Sequence, residues 1–394
     1  MNRWRAVAAA FFYLIIPGLC LAQDRSTPSQ SVDSALNVNP SQKQNARADS
    51  RPHSKPDNGF DAGRSALSGD WNWSLPPGIP LPRIPAGNHM SAAKVDLGRR
   101  LFHDPRLSGN GTISCASCHL QDKAFSDGKS VSIGSTGERT HRNSPALANL
   151  AWLATYTWAN PTLVSLERQM GVPLFSEDPV EMGINDRNRD QVLARFRGDP
   201  DMAPLFAKAF PGESQAVSFD TIVKSIAAFE RSIVSFSSKY DRFRQGGIEL
   251  ANNERRGMDL FFGNKAQCHT CHGGFLFADQ TVFDGAETVP TPFHDIGLHA
   301  PDAHPFPNRG LFEFTGNQGD KGKFRTPSLR NVVLSAPYMH DGSVATLPSA
   351  LDAHNGIKLS VAEKADLVAF LTTLTDEPLL SSPDFSKSPP QSPL

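Results

Sequence analysis

Two short motifs in this 394-residue chain carry chemistry by their spacing: Cys115-Ala-Ser-Cys118-His119 and Cys268-His-Thr-Cys271-His272. Two thiols set two residues apart can add to the vinyl groups of one haem, and the histidine that follows can reach the iron from one face. A zinc site or a redox dithiol also uses Cys-x-x-Cys, but neither requires a histidine directly after both pairs. Of the five cysteines only Cys20 lies outside the motifs, so no thiol remains for a structural disulfide. The spacing predicts two covalently attached c-type haems. Cys115, Cys118, Cys268 and Cys271 are then the thioether positions, and His119 and His272 the proximal iron ligands. His269, inside the second motif, reads as a variable loop residue.

The elements around the motifs repeat. Gly98-Arg-Arg-Leu101-Phe102 precedes the first motif, with Phe125 and Asp127 after it. Gly257-Met-Asp-Leu260-Phe261 precedes the second, with Phe277 and Asp279 after it. A helix, a haem loop and a Phe-x-Asp thus occur twice, which predicts two related haem modules in tandem. Ser218 is a candidate cap for a helix with Ile222, Ile226, Phe229 and Ile233 on one face. Asn252 and Ser360 are candidate caps for later helices, the last carrying Ala362, Leu367, Phe370 and Leu371. The Gly-, Pro- and His-rich stretch from Phe283 to Gly322 predicts irregular backbone, and strands should be few.

The chain opens with Arg3 and Arg5, an apolar run from Ala6 to Leu19, and Cys20-Leu21-Ala22. This is the pattern of a secretory signal over residues 1–22, cleaved after about Ala22, and the run is short for a membrane span. Leu19 before Cys20 is not the small residue that a lipoprotein signal needs, so a soluble exported product is expected, with no stable membrane insertion. Residues 23–70 are too poor in apolar side chains to offset their ordering entropy and read as a disordered linker. Order is expected from Trp71-Asn72-Trp73, with an extended, proline-rich lead-in from Pro76 to Pro85. With 39 basic and 40 acidic residues, the charge gives no reason to expect a nucleic-acid partner.

Further motifs resemble a known family. Phe324-Arg-Thr-Pro-Ser-Leu-Arg-Asn331, Ala336-Pro-Tyr-Met-His-Asp-Gly342 and Thr346-Leu347 resemble the C-terminal signature of bacterial dihaem cytochrome c peroxidases and MauG-type enzymes. Arg142-Asn143-Ser-Pro-Ala-Leu-Ala-Asn149, Trp158, Gln169 and Pro179-Val-Glu181-Met-Gly183 resemble the N-terminal half. The resemblance implies an all-α fold of two tandem cytochrome-c-like domains, 71–246 (peroxidatic) and 247–394 (electron transfer), with the haems facing a shared interface. It implies a periplasmic enzyme that uses hydrogen peroxide at the N-terminal haem. Glu181 matches the distal glutamate, Trp158 the tryptophan between the haems, and Gln169 a further residue of the peroxidatic half. Asn143 with the carbonyls of Ser335 and Pro337 matches a calcium site, and oxygen donors suit that hard cation. A glutamate in an apolar distal pocket suits the proton transfers that peroxide cleavage requires.

The sequence departs from the peroxidase pattern in two places. At the family's usual spacing after Pro337, where relatives place Met or Tyr as second ligand to the C-terminal iron, stands His354; Met339 is the nearest alternative. Trp158-Ala159-Asn160 replaces the commoner Trp-Asp-Gly. Together with Trp71-Asn72-Trp73 and Ser91-Ala-Ala-Lys94, these departures look closest to the MbnH-like branch, whose members resemble MauG in oxidising tryptophan on a small partner protein. Partners expected from the resemblance are an electron-donor protein (a small cytochrome or cupredoxin) or a small periplasmic substrate protein. A dihaem electron carrier without peroxide chemistry is the reading from another class, but a carrier needs neither Glu181 nor Trp158. Of the other histidines, His141 could approach the first iron and His340 a haem propionate, while His294, His299 and His304 are expected to face solvent.

Overall fold

The computed structural model describes residues 71–299 and 308–387. The expected signal and linker, and His304, lie outside the described residues. The fold is all-α: among the described residues there is no strand, only isolated bridges such as Leu153 with Thr281 and His294 with Phe324.

Two crossed helix pairs organise the structure, and the repeated glycine explains both. In the first pair Ala92–Phe102 packs against Phe219–Ser232; in the second Asn252–Phe262 packs against Val361–Thr372. A Cβ on Gly98 would lie 1.9 Å from the carbonyl oxygen of Ser225, and a Cβ on Gly257 would lie 1.9 Å from that of Asp366. Only glycine lets the backbones approach this closely. Phe229 and Phe370 stand beside the two crossings, both fully buried.

The caps follow from side-chain chemistry. Ser218 and Ser360 each accept a backbone N–H one turn into their helices, as expected. At Asn252 the expectation is off by one. The cap is Ala251, which has no acceptor of its own, and Glu254 accepts the Ala251 N–H at 2.7 Å instead. The helix from Ser218 ends at Ser232, leaving Ile233 as its C-terminal cap. The described part of 283–322 is irregular apart from the single turns Phe312–Thr315 and Gln318–Asp320. Trp71 to Pro85 runs without a helix along the first core, where Trp152 Nε1 donates to the Pro80 carbonyl at 2.9 Å.

Candidate functional site

Both haem motifs are single 3-10 turns, Cys115–Ser117 and Cys268–Thr270, and in each the histidine N–H donates back to the carbonyl of the first cysteine. None of the four cysteines forms a disulfide. His119 Nδ1 lies 2.7 Å from the Phe125 carbonyl, and His272 Nδ1 lies 3.3 Å from that of Phe277. Phe125 and Phe277 both adopt positive φ, at 64° and 54°, which turns the chain back under the imidazole. An Nδ1 proton held by a carbonyl leaves Nε2 as the metal-ligating atom. Burial lowers the pKa of both histidines, His272 to about 4 with the charge of His354 as the next cause, so both rings are neutral.

The C-terminal histidine faces a cavity of about 360 Å³. Its lining includes Cys268, Cys271, His272, His354 and Met339, and from the N-terminal half Asn143 and Trp158. The rings of His272 and His354 stand with centroids 6.4 Å apart. His354 follows the helix Leu347–Asp352, and its Nδ1 lies 2.8 Å from the Ala350 carbonyl, so its Nε2 too is left for another partner. Arg325 also lines the cavity. It is 4 % exposed, its guanidinium donates to the carbonyls of Thr157 and Thr326, and burial lowers its pKa to about 10. The charge of Asp279 offsets that burial only in part, and a haem propionate would supply the directly bonded anion that a buried guanidinium demands. The two thiols, the neutral histidine and this cation fit a covalently held haem.

At the N-terminal motif the notable group is Glu181. It stands after Pro179 in a loop braced by neighbouring backbone: Ser135 N–H donates to the Glu181 carbonyl and Gly109 N–H to that of Met182. Gly134 packs so tightly here that a Cβ would sit 1.8 Å from the Val180 carbonyl oxygen. Burial pushes the Glu181 carboxyl up to about 7. Burial raises the pKa of Cys115 and Cys118 as well, and the charge of Glu181 adds to both, which places the carboxylate near the haem-attachment cysteines. Gln169 ends the short helix Leu166–Gln169, half-buried.

Trp158 and Asn143 join the two halves. Trp158 Nε1 donates to the Asn143 carbonyl at 2.8 Å, Asn143 N–H donates to the His340 carbonyl, and Arg325 N–H donates to that of Trp158. Asn143 Nδ2 donates to Lys129 O, so its Oδ1 is the atom that could bind a cation. Ser335 and Pro337 line the same cavity as Asn143.

Two histidines depart from expectation. His294 and His299 do not simply face solvent: His294 Nε2 lies 2.6 Å from Asp279 and His299 Nε2 lies 3.1 Å from Asp341. His141 Nε2 lies 3.2 Å from Asp178, and buried His340 stacks on Phe324 at 3.5 Å. Sequence reasoning missed Arg325 as a cavity cation. It also missed Glu230, a carboxyl that burial pushes up to about 8 and whose charge reaches Cys115. No local pattern announces either; each depends on which helix or loop covers it.

The chain resembles known proteins across most of its length. Residues 92–249 match the family model of di-haem cytochrome c peroxidases. It is 34% identical to the methylamine utilization protein MauG of Methylorubrum extorquens, over 77% of this chain and 83% of that protein. It is 35% identical to the cytochrome-c peroxidase IdrP1 of a Pseudomonas species, over 80% of this chain and 89% of the relative. A crystal structure of a MauG-like protein associated with microbial copper homeostasis superimposes with a TM-score of 0.79 at 52% identity, covering 80% of this chain and 99% of that one.

Proposed function

Because this chain belongs to the dihaem cytochrome c peroxidase and MauG family, we propose that it reacts with hydrogen peroxide at the N-terminal haem site and shares the oxidising equivalents with the C-terminal one. The observation that carries this reading is the difference between the far sides of the two sites. One has a half-buried carboxyl, Glu181, whose charge reaches Cys115 and Cys118, and the other a second imidazole, His354, beside His272. When bound, the two haems supply an iron position for peroxide and a store for two oxidising equivalents. Glu181 would take the proton from the inner oxygen of hydrogen peroxide and return it to the outer oxygen; the O–O bond breaks, the outer oxygen leaves as water, and the inner oxygen with both oxidising equivalents would remain with the haem. A carboxyl with a pKa near 7 can both accept and return that proton. Gln169 is a further candidate of the peroxidatic half, and Trp158 couples the two sites.

His272 and His354 hold the C-terminal iron between them in this reading. Their ring centroids are 6.4 Å apart, and each Nδ1 faces a backbone carbonyl, which would leave both Nε2 atoms for one metal. Asn143, Ser335 and Pro337 bind calcium between modules 71–246 and 247–394. The protein is exported to the periplasm; among the described residues no helix is long and apolar enough to cross a membrane.

The substrate is a side chain of a small partner protein, on the strength of the 52% identity to a MauG-like structure and of the His354 arrangement. The second reading, oxidation of a small cytochrome or cupredoxin donor, is favoured by the similarity to cytochrome-c peroxidases.

Glu181→Gln tests the first part: both haems should stay attached while the peroxide reaction slows by about two to four decades. An unchanged rate removes Glu181 from the chemistry. For the second part, EPR of the ferric protein should report nitrogen on both faces of the low-spin haem. A near-infrared thioether band would give the position to Met339 and move the cytochrome-donor reading ahead.

A further inference from the structure

Four tryptophans lie among the described residues, and three of them touch in series. Trp152 is fully buried. Trp73 meets it edge to face at a centroid separation of 5.8 Å, and Trp71 meets Trp73 the same way at 6.2 Å. Trp73 and Trp71 are half-buried, so the series runs from core to surface. Its inner end reaches the C-terminal haem site through Phe275 and Leu153. Trp152 packs on Phe275, shortly after His272, at 6.3 Å, and the next residue, Leu153, lines the C-terminal cavity.

Such ring contacts are common in cores and stabilise by about 0.5–1.5 kcal/mol a pair, so contact alone assigns no role. Ring type and the setting of the N–H groups go further. Indole gives up an electron more readily than any other uncharged side-chain ring, and here no phenyl or aliphatic group interrupts the series. Trp152 Nε1–H is held by the Pro80 carbonyl, a very weak base. Trp71 Nε1 is buried without a hydrogen-bond acceptor. An oxidised indole that keeps its proton remains able to oxidise the next ring.

We propose that Trp152, Trp73 and Trp71 form a one-electron branch from the haem core to the surface, separate from Trp158, through which reductants of the ascorbate or thiol class refill the core when no protein substrate is docked. The branch rests on the peroxide reading above. In each passage one electron moves inward, from Trp152 to the oxidised core, from Trp73 to Trp152 and from Trp71 to Trp73, and no proton need accompany it. Two passages, with two protons, reduce one hydrogen peroxide to two waters. Without a reductant, Trp71 ends by losing two electrons, gaining one oxygen atom from water and releasing two protons.

The test treats the two-haem protein with successive single equivalents of hydrogen peroxide, without donor, and maps added oxygen by peptide mass spectrometry. The added oxygen should sit on Trp71 and diminish when ascorbate is present. Trp73→Phe keeps an aromatic ring at the joint and should abolish the Trp71 product, with haem content and consumption of the first peroxide equivalent unchanged. Trp73→Tyr, which restores an oxidisable ring, should recover part of it; a packing role alone predicts that Phe and Tyr behave alike. Peroxide consumption measured in the same samples separates the two claims. Consumption with Trp71 unmodified in the wild type, or modified equally in Trp73→Phe, overturns the branch alone. Absence of consumption overturns the peroxide reading and the branch with it.

Discussion

The two haem-motif modules are alike in how the helix before the motif and the histidine within it are held, and different in the residue that the proposed function sets opposite that histidine. Gly98 and Gly257 each admit a crossing helix at the same 1.9 Å virtual contact, and Phe125 and Phe277 each offer a carbonyl to the proximal histidine. The residues proposed for the opposite side differ: Glu181 comes from a loop, and His354 from the end of a short helix. Neither residue belongs to the repeated unit. The lesson is that one backbone device secures the cofactor, while reactivity is set by segments that the repeat leaves free to differ.

The strongest way to break this comparison is through the buried ion pairs, one near each crossing. Arg231 holds Glu167 with bonds of 2.7 and 2.8 Å, and Arg330 holds Asp241 with two of 2.9 Å. Arg231→Met or Arg330→Met strands a carboxylate, and each should cost about 3–5 kcal/mol of stability in denaturant titrations. If only one variant is destabilised, the modules do not share this support. The pH dependence sharpens the contrast opposite the two histidines. With Glu181 as the proposed base and its pKa raised to about 7, the peroxide step should level off above neutrality. Below it the rate should fall about tenfold per pH unit, as the base is lost. A stopped-flow pH profile checks this, and a flat profile between pH 5 and 7, set about by the same limit, would exclude the carboxyl as base. Smallest is the effect at the crossings. Gly98→Ala and Gly257→Ala should each lower stability by about 1–3 kcal/mol, because the new methyl meets backbone rather than a movable side chain. Equal shifts in thermal unfolding support equivalence; one silent variant argues against it.

What the sequence revealed and what it hid divide along physical lines. Ser218 and Ser360 were readable because a cap is a local event, decided by an oxygen and an N–H three residues apart. Asn252 misled because its own type suits a cap, whereas the neighbouring Ala251 relies on the Glu254 carboxylate reaching back. The repeat was legible at Gly98, Leu101 and Phe102 but is longer than those residues suggest. Asn149 and Asn331 both take positive φ and both donate their N–H to the segment ending the crossing helix, at Ile233 and Leu374. That equivalence lies in Ser144-Pro-Ala-Leu-Ala-Asn149 and Thr326-Pro-Ser-Leu-Arg-Asn331, two stretches that read as unrelated signatures until folded. The pairs Arg231–Glu167 and Arg330–Asp241, and the partners of His294 and His299, join residues far apart in the chain, where no periodicity reaches. The cysteine motifs needed no fold to be understood. Glu181 and His354 drew their meaning from family register, since an isolated carboxylate or loop histidine carries none.

The glycine crossings bear on how the protein is made. Chains emerge N-terminus first and begin folding in that order. The Cys115 motif is therefore exposed before the Phe219–Ser232 helix exists to lock Ala92–Phe102 in place, and the Cys268 motif before Val361–Thr372. Each module thus has an interval during biogenesis when its thiols are accessible and its lid is still unmade. A crossing that leaves no room even for a methyl forms only once both helices are in place, so the first module closes before the second.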